Sequence, residues 1–238
     1  MIRNVDTNFG RLRAVLQELG LEENTLLLFT SDNGPCSGSV PVDRHMAGLH
    51  GLKGTVYENG VRVPAYVRWP AGFASPARVT RMTAHIDVVP TVLEACGVPV
   101  PLAVTLDGRS LLPLLRNPAA AWSERFLVLQ WDSGQAPRRG QAYTVLGEQW
   151  KLVQPCGMDS PRQQHIRDRY AELCRLQRRG ERTIEGPPRY ELYDVRADPG
   201  ETRDLAVAQP DRVTQMRQYY ERWFDEVARR WIAAAPRR

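Results

Sequence analysis

The chain has 238 residues, a formal net charge of +5 and a hydrophobic content of 42%, values that are ordinary for a globular protein of one large or two modest domains. Its basic residues are dispersed among carboxylates and are not interleaved with aromatic residues, so we expect no nucleic-acid partner. No apolar run approaches the roughly 18 residues that a membrane-spanning helix requires. Met1 is not followed by the pattern of a secretion signal, which leaves a cytoplasmic and a periplasmic location open.

The first part of the chain predicts a helix followed by a buried strand. Apolar residues recur at steps of three and four from Val5 to Leu19, and Gly20 follows where a left-handed helix cap is expected. The next apolar run, Leu26–Thr30, is typical of a strand in a parallel sheet. A helix that leads into a buried strand indicates an α/β layered fold.

Two further elements are predicted before residue 120. Val63–Arg68 is a second strand candidate. Asp87 is a suitable N-cap for a helix over Val88–Cys96, which Gly97 closes. Cys96 lies in the apolar pattern of this helix, so we expect it to be a small core residue.

Beyond about residue 120 the pattern changes to short strands joined by turns, which predicts a smaller antiparallel sheet. The candidate strands are Phe126–Gln130, Ala142–Leu146, Trp150–Val153 and Tyr190–Val195. A polar, Arg-rich insertion at about 155–188 interrupts them. The chain closes with a helix whose apolar face we expect to pack on this sheet; that face consists of Val213, Met216, Tyr220, Trp223 and Val227.

The polar sequence Ser31-Asp32-Asn33-Gly34 directly follows the first predicted strand. Ligands of parallel α/β sheets bind at the carboxyl ends of the strands. A carboxylate beside a carboxamide supplies hard oxygen ligands for calcium or magnesium. The alternative is an Asp-Asn-Gly turn whose side chains only bond the backbone.

Lysine is rare in this chain, because only Lys53 and Lys151 stand among its 32 basic residues. Lys53 lies in the segment Gly51–Thr55, where flanking glycines allow the backbone to approach a ligand closely. Its ammonium group is a compact charge that suits an anionic oxygen. A surface lysine in a flexible loop is the alternative. For Lys151, which falls in a predicted strand, we expect a structural or rim role.

These segments, taken in chain order, resemble the sulfatases of the alkaline-phosphatase-like superfamily. The resemblance extends from residue 1 to about residue 228. It rests first on Ser31–Gly34 and on the lysine segment that ends in Arg62-Val63-Pro64. Further matching segments are Trp69–Gly72, His85–Thr91, Asp107–Ser110, Trp150–Val153 and Leu192–Glu201.

The resemblance implies a partial alkaline-phosphatase-like α/β/α core in residues 1–120. It implies a small C-terminal subdomain in residues 121–238, with an antiparallel sheet and a packed helix. The implied reaction is the hydrolysis of sulfate monoesters, as in an arylsulfatase. The implied cofactors are a calcium ion, with magnesium as the alternative, and a formylglycine made from the Cys or Ser of a Cys/Ser-x-Pro/Ala-x-Arg motif.

Carried over by position, the resemblance makes Asp32 and Asn33 metal ligands and Lys53 a catalytic contact to sulfate. His45, His50 and Arg62 are further candidates for substrate contact. For the two histidines the alternative is a solvent-exposed or locally bonded side chain. For Arg62 the alternative is to lock the loop that carries Lys53.

The chain also departs from the family pattern. No cysteine starts the nucleophile motif, and Ser75-Pro76-Ala77-Arg78 misses it by one place. The family's early pair of metal-binding aspartates is absent as well. Asn59 stands where the family has glycine, a change that we expect to alter only a turn. Pairing of Cys156 with Cys174 is left open.

We therefore expect the C-terminal portion of a longer sulfatase, inactive alone and able to self-associate through surfaces that truncation exposes. A phosphonate or phosphodiester hydrolase of the same superfamily is one alternative. A non-catalytic remnant that binds an anion or a partner is another.

Overall fold

The computed structural model describes residues 2–35, 45–73, 76–131, 139–140, 142–155 and 190–234. Ser75, Cys36, Cys156 and Cys174 lie outside the described residues, as does the Arg-rich insertion from residue 156 onward. By internal contacts the chain separates into two units: residues 1–30 with 64–123, and residues 31–63 with 124–238. Residues 31–63 thus group with the C-terminal residues. The division near residue 120 stays a prediction as a domain assignment.

Five helices and six strands form the described part of the chain. The helices are α1 (Ile2–Glu18), α2 (Glu58–Val61), α3 (Val88–Ala95), α4 (Leu112–Arg116) and α5 (Pro210–Ala234). The strands are β1 (Leu27–Thr30), β2 (Ala65–Arg68), β3 (Leu127–Gln130), β4 (Tyr143–Leu146), β5 (Trp150–Gln154) and β6 (Glu191–Asp194). Short 3₁₀ turns cover Glu22–Asn24 and His85–Asp87. Within this part no helix is both long and apolar enough to cross a membrane.

In the first unit, β1 pairs with β2 in antiparallel register, with Leu27 opposite Arg68. This pairing differs from the parallel sheet that the apolar run predicted. The strand is also less buried than expected, because its residues alternate between half-buried and exposed. The reason is that α1 covers it thinly: Phe9 contacts Phe29 with ring centroids 5.8 Å apart, but no residue of α1 is buried.

Asp87 occupies the N-cap position of α3, as predicted, but its side chain holds other backbone groups. The buried carboxylate accepts the backbone N–H of Ala84 at 2.8 Å and that of Arg109 at 3.0 Å. It thereby joins two of the segments that carry the family resemblance. The prediction for Cys96 is wrong: this residue follows the last turn of α3 and is exposed.

In the second unit, β3, β4, β5 and β6 form an antiparallel sheet in chain order, and α5 packs on it as predicted. Met216 and Tyr220 are fully buried, and Tyr220 stacks on Tyr143 with ring centroids 3.5 Å apart. Phe224 is buried as well, whereas Val227, named in the prediction, is only half-buried. A helix of 25 residues is about 37 Å long and extends past a sheet of four short strands.

Candidate metal and anion site

Asp32 and Asn33 follow the last residue of β1 and form a polar turn at the surface. The Ser31 hydroxyl donates to the Asn33 carbonyl oxygen at 3.0 Å. The Asn33 amide donates to the Asp32 carboxylate. The two side chains therefore contact each other, and the Asp32 carboxylate stays exposed. This differs from a turn whose side chains bond only the backbone.

Lys53 lies at the tip of a tight turn that Thr55 closes. The Thr55 hydroxyl accepts the Leu52 N–H at 3.0 Å and donates to the Leu52 carbonyl oxygen at 2.8 Å. Gly51 has a φ of 93° and Gly54 a φ of 89°, a region that favours glycine. The glycines predicted to let the backbone approach a ligand are thus needed for the turn itself, and the Lys53 side chain is exposed.

Two backbone hydrogen bonds join the Asp32–Asn33 turn to the segment that carries Lys53. The Gly34 N–H donates to the Gly60 carbonyl oxygen at 3.0 Å, and the Lys53 N–H donates to the Pro35 carbonyl oxygen at 2.9 Å. Gly34 approaches so closely that a Cβ atom there would lie 1.6 Å from the Asn59 carbonyl oxygen. The predicted metal ligands and the predicted sulfate contact therefore lie on adjoining backbone segments.

The other predicted substrate contacts lie in different surroundings. His45 is exposed. Arg62 is exposed and donates to a Glu58 carboxylate oxygen at 3.3 Å, as expected for a residue that locks the loop. His50 is buried, with its ring centroid 4.1 Å from that of Tyr57. The substrate roles of these three residues stay predictions.

A buried ion cluster lies behind the Lys53 turn and consists of Glu58, Lys151 and Glu201. The Lys151 Nζ is 3.0 Å from a Glu58 carboxylate oxygen and 2.9 Å from a Glu201 carboxylate oxygen. The side chains of Lys151 and Glu201 are fully buried. Burial raises the pKa of Glu201 to about 7, an effect that outweighs the attraction of Lys151 and the hydrogen bond from the Glu58 N–H.

A second buried carboxylate holds the same loop. The Tyr57 hydroxyl donates to Glu191 in β6 at 3.0 Å, and the Tyr193 hydroxyl donates to the same oxygen. Asn59 closes the base of the loop, because its side-chain amide donates to the Gly51 carbonyl oxygen at 3.0 Å. The expectation that Asn59 alters only a turn is therefore wrong.

Sequence reasoning missed Glu58, Glu191 and Glu201 and placed Lys151 only generally. Glu58, Lys151 and Glu201 lie in segments that carry the family resemblance, and Glu191 directly precedes one of them, but no chemistry was assigned to these residues. The one local signal is Lys151, a lysine that stands in a strand beside the apolar residues Trp150, Leu152 and Val153. A buried lysine requires a partner, but nothing in the sequence identifies that partner.

Asp32 and Asn33 offer the oxygen atoms that a hard divalent cation binds, but they offer too few of them to complete its coordination shell. Calcium takes six to eight oxygen ligands, and this pair supplies two side chains. Elsewhere in the described part of the chain, no cluster of three or more His, Cys, Asp or Glu residues could hold a metal ion. The described residues therefore provide a portion of the ligands that such an ion needs.

Comparison with known proteins places these residues in context. A family model described as Sulfatase matches residues 1–98. The chain is 33% identical over 218 residues to steryl-sulfatase of Mus musculus, covering 86% of this chain and 32% of the relative. It is 41% identical over 118 residues to arylsulfatase A of Homo sapiens, covering 48% of this chain and 22% of the relative.

Solved structures show the same fold. A sulfatase from Pseudoalteromonas sp. superimposes with a TM-score of 0.66 at 22% identity, over 93% of this chain and 41% of that one. A phosphonate monoester hydrolase from Silicibacter pomeroyi superimposes with a TM-score of 0.59 at 24% identity, over 92% and 38% of the two chains. The chain thus spans less than half the length of each of these proteins, with an alkaline-phosphatase-like α/β fold.

Proposed function

Because the chain belongs to the sulfatase family, we propose that it forms the part of a sulfuric ester hydrolase that presents Asp32, Asn33 and Lys53 to a sulfate ester. One observation carries this proposal. The hydrogen bonds from Gly34 to Gly60 and from Lys53 to Pro35 fasten the oxygen-bearing pair to the lysine turn. A cation held by the pair and the Lys53 ammonium would then face one anionic group from neighbouring segments.

In this proposal each residue has a separate task. Asp32 and Asn33 hold part of the coordination shell of a calcium ion, with magnesium as the alternative. When bound, a divalent cation supplies Lewis-acid stabilisation of charge on the sulfate oxygens. Lys53 binds a sulfate oxygen directly, because its ammonium group is exposed at the tip of the turn. His45 and Arg62 are proposed as outer contacts to the substrate.

The proposal assigns no nucleophile to this chain. The formylglycine expected in the complete enzyme needs a Cys/Ser-x-Pro/Ala-x-Arg motif, and no cysteine or serine of the printed sequence begins one. We therefore expect the isolated chain to bind cation and sulfate without turning over an ester.

Sequence similarity favours sulfate over phosphonate as the substrate group. The sulfatase relatives are 33% and 41% identical to the chain over their aligned regions. The likeness to the phosphonate monoester hydrolase, at 24% identity, is one of fold. A phosphonate or phosphodiester substrate is thus the second candidate.

Calorimetric titration of the purified chain with calcium chloride tests the metal assignment. We expect Asp32→Asn to weaken calcium binding at least about tenfold, because one of two adjoining oxygen ligands loses its charge. Asp6→Asn is the matched control, since Asp6 is an exposed carboxylate on α1. Equal affinities of wild type and Asp32→Asn would remove Asp32 from the site.

Titration with sodium sulfate in the presence of calcium tests the role of Lys53. Lys53→Met keeps the length of the side chain and removes its charge, so we expect sulfate affinity to fall at least about tenfold. Calcium affinity should stay the same, because Lys53 is not a metal ligand. Unchanged sulfate affinity in Lys53→Met would contradict the assignment.

We also propose that the chain associates through the apolar face of α1. Val5 and Leu12 on this face are 46% and 47% exposed, and Leu19, directly after the helix, is 65% exposed. Sedimentation velocity should show concentration-dependent association that Leu12→Glu weakens, because a charge would enter the buried surface. A wild-type chain that sediments as a monomer at every concentration would refute this proposal.

A further inference from the structure

We propose that Lys151 and Glu201 are positioning residues, which hold the loop carrying Lys53 in place through their joint contacts with Glu58. This inference rests on the proposed function, because the position of the loop matters to the reaction only if Lys53 meets a sulfate ester. Neither residue is exposed, so neither can contact a substrate.

The two residues hold Glu58 by both its side chain and its backbone. The Lys151 ammonium binds the Glu58 carboxylate at 3.0 Å, and the Glu201 carboxylate accepts the Glu58 N–H at 2.8 Å. Lys151 and Glu201 also bind each other at 2.9 Å. Three contacts among three residues fix both the position and the orientation of the first residue of α2.

From Glu58 the constraint passes along consecutive residues to the proposed site. Asn59 donates to the Gly51 carbonyl oxygen by its side chain and to the His50 carbonyl oxygen by its backbone, which closes the base of the Lys53 loop. The Gly60 carbonyl oxygen accepts the Gly34 N–H, next to Asp32 and Asn33. A shift of Glu58 would therefore move both halves of the site.

The backbone conformation of Glu201 is unfavourable in itself, which indicates that the surrounding contacts hold this residue in position. Its φ is 52°, in the left-handed region that non-glycine residues adopt only at a cost. Asp198 supports this conformation, since its carboxylate accepts the N–H groups of Thr202 and Arg203 at 2.7 Å and 2.9 Å. The loop after β6 is thus built to turn the Glu201 side chain inward.

A buried ion pair contributes little net stability compared with a well-packed apolar pair, because desolvation offsets its attraction. Stability alone therefore does not account for a lysine and two carboxylates at this place. The cluster does supply a defined position, because Lys151 can bind both carboxylates only when Glu58 and Glu201 lie on either hand of its Nζ, at the observed 3.0 Å and 2.9 Å. This is the property expected of a positioning device.

The charged and titratable groups that face Glu201 are Lys151 from β5, Glu58 from α2 and His50 from the preceding loop, whose Nδ1 lies 3.9 Å away. Burial raises the pKa of Glu201, and Lys151 lowers it. Without Lys151, the ordered loop would have to hold Glu201 protonated. Low pH should therefore favour the ordered loop in a Lys151 variant, since ordering then takes up a proton.

Amide hydrogen exchange followed by NMR tests the inference on the full chain. In Lys151→Met we expect the protection factors of the Gly34 and Lys53 amides to fall about tenfold at about pH 8. They should recover toward wild-type values at about pH 6, or at pH 8 when Glu201→Gln is added to Lys151→Met. Glu201→Gln alone should leave these amides protected, because the glutamine oxygen still accepts the Glu58 N–H.

Val145→Ala is the control for general destabilisation, since Val145 is fully buried between the sheet and α5 and is not part of the ion cluster. It should lower protection in β4 and leave the Gly34 and Lys53 amides within about twofold of wild type. A loss at Gly34 and Lys53 that neither pH nor Glu201→Gln relieves would overturn the inference, as would no loss at all. Should Lys151→Met fail to fold, its folding must be restored by Glu201→Gln, and failure of the double variant also overturns it.

A calcium titration of the same variants separates this inference from the proposed function. Calcium affinity should fall about tenfold in Lys151→Met and recover in part in the double variant, where residue 201 still accepts the Glu58 N–H. If wild type binds no calcium, the proposed function fails, whereas the exchange data still decide whether Lys151 and Glu201 hold the loop.

Discussion

Replacing Gly34 with alanine should separate the Asp32–Asn33 turn from the Lys53 loop. The added Cβ would lie 1.6 Å from the Asn59 carbonyl oxygen, whereas real Cβ contacts are not shorter than 3.0 Å. One segment must therefore move by about 1.4 Å, which is enough to break the hydrogen bonds from Gly34 to Gly60 and from Lys53 to Pro35. At about 1 kcal/mol for each bond, the loss is about 2 kcal/mol.

Urea denaturation followed by circular dichroism measures this loss, and calcium titration measures its consequence for the site. We expect the free energy of unfolding to fall by about 2 kcal/mol and calcium affinity to fall with it. Gly10→Ala is the matched control, because Gly10 lies in α1 with no atom within 4 Å of the added Cβ, and it should stabilise the chain by about 0.5–1 kcal/mol. If Gly34→Ala behaved like Gly10→Ala, the close approach of the two segments would be refuted.

Three further predictions concern other parts of the molecule. The pKa of Glu201 is about 7 in the folded chain against 4.5 in the unfolded chain. The free energy of unfolding of the wild type should therefore fall by about 3 kcal/mol relative to that of Glu201→Gln as pH rises from 4.5 through 7. If urea denaturation showed the same difference between the two proteins at every pH, this prediction would be contradicted. Phe224→Ala should lower the free energy of unfolding by about 3–5 kcal/mol. Val227→Ala should lower it by less, because of these two residues only Phe224 is buried. Equal shifts of the urea midpoint in the two variants would contradict the observed packing of α5 on the sheet. Asp87→Ala should cost about 2 kcal/mol, since two part-buried backbone N–H groups lose their acceptor. An unchanged melting temperature would count against those bonds.

Patterns that repeat within one element predicted most of the fold. The four strands of the small sheet lie within a few residues of their predicted bounds, and α5 contains all the residues of the predicted apolar face. Alternation and helical spacing allow this, because they are set by which face is buried. The partner of β1 could not be predicted in this way. Its antiparallel pairing with β2 depends on the path that residues 31–64 take, and an apolar run carries no information on that path.

The sequence likewise predicted one part of the candidate site, the proposed ligands, and not the other, the ion cluster. Asp32, Asn33 and Lys53 could be named because short sequences with recognisable chemistry contain them. The ion cluster could not, because Lys151 is 93 positions from Glu58 and Glu201 is 143 positions from it. Neither charge type nor spacing identifies partners at such separations, which only the packing of the loop on the small sheet brings together.

The C-terminal residues contribute support to a site whose proposed ligands all precede residue 64. An exposed lysine at the tip of a tight turn has few contacts of its own, yet a site for a transferring group must be held to within about 0.5 Å. The groups that hold this turn from behind are Lys151, Glu191 and Glu201, and all three belong to residues 124–238. The grouping of residues 31–63 with the C-terminal unit follows from these contacts. A chain without residues 124–238 would keep every proposed ligand and lose Lys151, Glu191 and Glu201, the buried charged residues that hold the Lys53 turn in place.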